Sequence, residues 1–127
     1  MRDLHDETEV QRLLIACVSG GSVDLEAHLH PQFMAVGVED GLFIAADRPT
    51  YMSFMARLVP RGLPLPRIDW IDVRDRIATG CIVQEDAQIR RTIVVTLLCD
   101  AAGWRVMTAT FSCGESDATA APPVRLQ

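Results

Sequence analysis

Apolar residues near the start of the chain recur at Val10, Leu13, Leu14 and Cys17. This i, i+3, i+4, i+7 spacing is one face of a helix. Asp6-Glu7-Thr8-Glu9 precedes the stripe and reads as a capping box with Asp6 as N-cap. Gly20-Gly21 ends the helix, because glycine enters the left-handed C-terminal turn without a Cβ clash. Ser22 can cap a second, short helix reaching about His30. Asp24 and Glu26 suit the positive end of its dipole, and Pro31 stops it. Residues 33–38 read as a strand, and Asp40-Gly41 is a tight hairpin signal. A short partner strand follows over 42–45. Asp47 caps a third helix that tolerates Pro49 in its first turn. Its inner stripe is Tyr51, Phe54, Met55 and Leu58. Pro60, Gly62, Pro64 and Pro66 form a stiff connector. Four strands then follow, over 67–73, 76–84, 88–99 and 104–113, with turns at Arg74-Asp75, Glu85-Asp86 and residues 100–103. Helices first and strands afterwards indicate an α+β fold, with helices on one face of an antiparallel sheet. Residues 1–113 make one domain and 114–127 a tail. There is no internal repeat.

Alternation divides each late strand into two rows. In 88–99 the more apolar row is Ile89, Arg91, Ile93, Val95, Leu97 and Cys99. In 104–113 it is Arg105, Met107, Ala109, Phe111 and Cys113. These rows are assigned inward. The rows containing Thr92, Thr96, Thr108 and Thr110 then face outward, as suits a flat, half-wet sheet surface.

Composition narrows the function classes. The chain has 127 residues, 49% hydrophobic and 23% charged, as a globular domain does. It has no apolar run of about 18 residues, so no membrane span is expected. The net charge is −5, and all 12 basic residues are arginine. Absence of Lys and Asn reflects GC-rich codons, as in many bacteria, rather than selection for phosphate contacts. Only Arg90-Arg91 and Arg74/Arg76 cluster, and Asp72 and Asp75 dilute the second pair. Nucleic-acid binding needs a concentrated basic stripe, so no such partner is expected. Cys17, Cys81, Cys99 and Cys113 fit no zinc spacing and read as small buried hydrophobes with free thiols. The charged opening MRDLHDETEV is unlike a secretion signal, so the expected location is the cytoplasm.

Several segments, in order, carry a resemblance. They are Leu29-His30-Pro31 before Phe33-Met34-Ala35-Val36, then Asp40-Gly41, then residues 68–73 (IDWIDV), then Gly103-Trp104-Arg105-Val106. Together they resemble the nuclear transport factor 2-like superfamily over residues 8–113, with the SnoaL-like, lumazine-binding branch the nearest. The resemblance implies a cone-shaped roll: three N-terminal helices packed on a curved, mostly antiparallel sheet. It also implies an internal pocket and a homodimer through the sheet's outer face.

The superfamily holds enzymes and binding proteins, and fold alone does not choose between them. An isomerase of this type needs a carboxylate base and a donor pair of one tyrosine and one protonated acid. Alignment by the resemblance puts Leu13 at the tyrosine, Val38 at the base and Val95 near the second acid. A two-residue slip puts Asp40 at the base. The catalytic candidates are Asp40, under that slip, or a histidine, of which His30 is the one named.

Tyr51 and Phe54 share the inner stripe of the third helix, which the resemblance makes the roof of the pocket. Tyr51 is either a core phenol with a backbone partner or a ligand contact. Arg91 lies in an apolar row near its strand's start. It either snorkels to the rim or anchors an anion in the pocket. Trp70 reads as core, dimer interface or pocket lining. His28 and His30 read as helix C-terminal histidines, and H-x-H lacks a third metal ligand. Asp69 and Asp72 read as solvated carboxylates on opposite strand faces unless a bulge intervenes. Cys99 and Cys113 read as inert thiols that approach each other at the row ends. The sequence thus points to a non-catalytic dimer with an apolar pocket lined by Tyr51, Phe54, Arg91, Val95, Met107 and Phe111. Its ligand is a small hydrophobic or amphipathic molecule, with no cofactor and no metal expected. The alternatives are a cyclase, dehydratase or isomerase using Asp40 or a histidine, and a pure protein-association module.

Overall fold

A computed structural model describes residues 4–19, 25–58 and 64–115. The elements run α1 (Leu4–Ser19), α2 (Leu25–His28), β1 (Leu29–Glu39), β2 (Leu42–Asp47), α3 (Arg48–Leu58), β3 (Arg67–Arg74), β4 (Ile77–Glu85), β5 (Ile89–Asp100) and β6 (Gly103–Glu115). They make an α+β fold with one curved, six-stranded mixed sheet in the order β2-β1-β6-β5-β4-β3. Every neighbouring pair is antiparallel except β1 with β6, which is parallel. The readings placed on Gly20-Gly21, Ser22, Asp24, Pro60, Gly62 and residues 116–127 lie outside the described residues. No described helix is long and apolar enough to cross a membrane.

The turns form for the reasons their residues supply. Asp40 and Gly41 both take positive φ (50° and 83°), the backbone of a two-residue hairpin turn matched to strand twist. Asp47 Oδ1 accepts the Thr50 backbone N–H at 3.1 Å, capping α3. A hydrogen bond from the Thr50 side chain, and next that backbone bond, hold the Asp47 carboxyl below its usual range. Asp86 Oδ1 accepts the N–H groups of Gln88 and Ile89 at 2.8 and 2.9 Å, closing the β4–β5 turn.

The core lies between the sheet's inner face and the helices. Val10, Leu13, Leu14 and Cys17 of α1 are buried against β3, β4 and β6, as the helical spacing requires. Gly80 sits directly beneath Leu14; a Cβ there would approach the leucine Cδ1 to 2.4 Å. α3 covers the other half, over β1 and β2.

Four expectations change. α1 begins at Leu4, so Asp6 is inside its first turn rather than at its cap. There its Oδ1 accepts the indole N–H of buried Trp104 at 3.1 Å, tying the helix start to β6. The second helix is only four residues long, because β1 begins at Leu29 and carries Pro31 through an irregular stretch. In β3 the register shifts between Ile68 and Trp70, making Asp69 a bulge residue on an edge strand. Ile68, Ile71 and Val73 can then all face inward, while Asp69, Trp70 and Asp72 are exposed. Trp70, at 44% exposure, is not core.

The fourth change is in β6. Thr96 pairs with Thr108 but Leu97 with Val106, so Met107 is an extra residue. A bulge swaps the two rows at that point. Ala109, Phe111 and Cys113 face inward as expected. Before the bulge, Trp104 and Val106 are buried instead of Arg105 and Met107. The outer threonine row is otherwise in place, with Thr108 and Thr110 exposed.

Gly37 is a tight point of the sheet. A Cβ there would lie 2.3 Å from the Phe111 carbonyl oxygen and 2.5 Å from its ring. Gly37→Ala must push β1 from β6 or displace the ring. We expect a loss of about 1–3 kcal/mol, the cost of overpacking, read from the denaturant midpoint. An unchanged midpoint would contradict this packing.

Candidate functional site

A cavity of about 200 Å³ lies between α3 and the inner face of the sheet. α3 supplies Thr50, Tyr51 and Phe54; β2 supplies Ile44, Ala45 and Ala46; β1, β5 and β6 supply Ala35, Arg91 and Phe111. The space exists because the side chains beneath α3 are small. Ala35 and Ala46 stand opposite each other in the β1–β2 ladder, and Gly37 stands opposite Phe111. Larger residues would fill the volume, since protein interiors otherwise pack to crystal density.

Tyr51 fixes the roof. Its hydroxyl donates to the Cys17 carbonyl oxygen at 2.6 Å, joining α3 to α1. Its ring meets Phe33 at 4.9 Å between centroids and 57° between planes, within the range of favourable tilted aromatic pairs. Burial raises the phenol well above its ordinary pKa and pushes the Cys17 thiol up to about 12. Tyr51 is therefore a core phenol with a backbone partner whose ring also forms cavity wall.

Arg91 is the one charged residue among those lining the cavity. It is only 5% exposed, so it does not snorkel to the rim. Nη1 donates to Gln84 Oε1 at 3.1 Å, and Gln84 Nε2 donates in turn to the Pro64 carbonyl oxygen at 3.1 Å. Gln84 pairs with Arg91 in the β4–β5 ladder, and Arg91 pairs with Cys113 in β5–β6. The relay runs along one rung of the sheet and ends on the connector before β3. Burial, and next the Glu39 carboxylate, raise the Cys113 thiol above its ordinary range.

Four residues singled out from sequence, Tyr51, Phe54, Arg91 and Phe111, meet at this cavity. Val95 is fully buried in the core and does not line it. Met107 is at the β6 bulge, also away from it. Asp40 is exposed in the hairpin turn, its backbone N–H bonded to Cys113 O at 3.1 Å. His30 Nδ1 accepts the Gln32 backbone N–H at 3.0 Å. Neither lines the cavity. Leu13 is core and Val38 is on the exposed outer face. Cys99 and Cys113 do not approach each other: Cys99 pairs with Trp104 and Cys113 with Arg91, at opposite ends of the β5–β6 ladder. Among the described residues no group of three His, Cys, Asp or Glu is placed to hold a metal.

Sequence reasoning missed Ala35, Ile44, Ala45, Ala46, Thr50 and Gln84. Gln84 was the findable one. The Glu85-Asp86 turn sets a register that places it opposite Arg91, and two polar residues facing each other in otherwise apolar rows signal a buried pair.

The Tyr51–Cys17 latch has two measurable consequences. Tyr51→Phe removes this buried hydrogen bond and should cost about 0.5–1.5 kcal/mol, read by chemical denaturation. The ordinary pKa values are 9.0 for Cys17 and 10.0 for Tyr51, and the fold raises both. Their stabilisation is complete below pH 9 and is lost as pH rises toward 12. The slope is roughly 1.4 kcal/mol per pH unit for each group ionised only in the unfolded chain. Cys17→Ala should flatten the fall between pH 9 and 10. A wild-type profile that is flat from pH 8 to 11 would contradict burial of both groups.

No protein-family model matches this chain, and no curated protein matches it. Solved structures do. A nuclear transport factor 2-like protein of unknown function from Silicibacter pomeroyi is 18% identical, with a TM-score of 0.69 over 85% of this chain and 92% of that one. One from Shewanella baltica, also 18% identical, gives 0.65 over 89% and 94%. One from Methylobacillus flagellatus, 16% identical, gives 0.70 over 88% and 94%. Both are likewise of unknown function. The order of elements, the mixed sheet and these matches together establish that the chain has the nuclear transport factor 2-like fold.

Proposed function

We propose that this protein is a non-catalytic, homodimeric binder of a small hydrophobic or amphipathic molecule, held inside a cone formed by the sheet and α3. The observation that carries this reading is the cavity of about 200 Å³ walled by Ala35, Ile44, Ala46, Phe54 and Phe111. An apolar cavity of roughly 150 Å³ is enough to take up benzene. One ring or a short branched chain therefore fits, and burying its apolar surface drives uptake.

The dimer reading rests on the outer face. Met34, Val38, Phe43, Trp70, Ile77 and Leu98 are exposed there, around Thr108 and Thr110. Large exposed apolar groups of this kind mark association surfaces. A second copy would cover them.

Toluene and indole should raise the melting temperature of the wild-type protein. Ile44→Trp, which puts a large ring at the cavity's edge strand, should remove that shift without unfolding the protein. An equal shift in both proteins would contradict the pocket reading. Light scattering should give twice the chain mass, and Thr110→Arg should give the chain mass. A wild-type monomer would contradict the dimer.

A further inference from the structure

Arg91 poses a problem that the apolar pocket leaves unsolved. A guanidinium carries a fixed positive charge and five N–H donors, and it cannot deprotonate inside a protein. Burying one without a counter-charge is expensive, so buried arginines ordinarily pair with a carboxylate or phosphate. Here the sole side-chain partner among the described residues is the neutral amide of Gln84. The ion pairs formed by other arginines, Arg12 with Glu9, Arg74 with Asp72, Arg90 with Glu85 and Arg105 with Asp100, do not involve it. Glu39 stands on the same rung, beyond Cys113 on β1, and makes no ion pair with Arg91.

The side chain is nonetheless held in place. Gln84 is 2% exposed and anchored to the Pro64 carbonyl, and it accepts from only one end of the fork. None of the guanidinium nitrogens is sealed off as a buried, unpaired atom, and the residue forms part of the cavity wall. The remaining donors are therefore not sealed in protein, and the residue that carries them lines the pocket. The other lining residues are Thr50, Tyr51 and apolar groups.

We infer that the ligand is a small carboxylic acid, bound as its anion, with its carboxylate on the Arg91 fork and its apolar body under α3 against Ala35, Phe54 and Phe111. This deepens the binding role proposed above and rests on it. The planar fork matches a carboxylate in geometry. One cation in an apolar cavity balances one negative charge, so a phosphate dianion would remain half uncompensated. The cavity leaves room for about one ring beyond the carboxylate.

The test compares benzoate, benzamide and phenyl phosphate on the wild-type protein by calorimetry at low salt. These share one ring and differ in the group offered to Arg91. Benzoate should bind at least tenfold more tightly than benzamide and more tightly than phenyl phosphate. Added salt should weaken benzoate and leave benzamide unchanged. Arg91→Met should reverse the order of benzoate and benzamide. If that variant does not fold, the wild-type comparison still decides. Benzamide binding as tightly as benzoate would overturn the carboxylate inference while leaving the pocket reading intact. Phenyl phosphate binding most tightly would overturn the choice of carboxylate over phosphate. If none of the three binds, and toluene does not either, the pocket reading itself fails.

Discussion

A pocket beneath a helix is unstable unless something holds its walls apart, because packing forces otherwise close it. Here the hydrogen bond from Tyr51 to the Cys17 carbonyl fixes the roof. It joins α3 to α1, and α1 is anchored by Leu14 over Gly80 and by Asp6 on the Trp104 indole. The floor is a sheet whose small residues, Ala35, Ala46 and Gly37, cannot expand into the space. The cavity is thus a consequence of rigid spacing above and missing side-chain volume below.

Charge inside that hollow is the second constraint. An apolar wall and a fixed guanidinium oppose each other energetically unless an anion enters. The Gln84–Pro64 relay restrains Arg91 without neutralising it. Fold and chemistry therefore meet on one rung of β4 and β5, at the end of the sheet nearest the Asp40-Gly41 turn and away from the Trp104 core.

The sequence made most of this legible. Helical spacing located α1 and α3, and Asp-Gly located the β1–β2 hairpin. Strict alternation in β5 put Arg91, Ile93 and Val95 on the inner face. Alternation failed where a bulge intervened, because an extra residue swaps the rows without a glycine or proline to announce it. Alternation alone puts Met107 and Arg105 indoors, whereas Trp104 and Val106 are the ones buried. Asp6 misled in a different way: its spacing suited a cap, but the partner that holds it lies 98 residues away. The cavity walls contributed by β2 were invisible, since alanines give no chemical signal and matter only for the volume they leave empty. The parallel β1–β6 contact joins segments far apart in sequence, beyond the reach of local patterns.

The central claim is that an anion completes the site at Arg91. Crystallography of the protein soaked with 4-bromobenzoate tests it directly, since bromine marks one end of the ligand by anomalous scattering. The account predicts a bromine peak beneath α3, near Phe54 and Phe111, with carboxylate density within hydrogen-bonding distance of the Arg91 guanidinium. A cavity closed by side chains, or bromine at Arg91 with the carboxylate turned toward solvent, would contradict it.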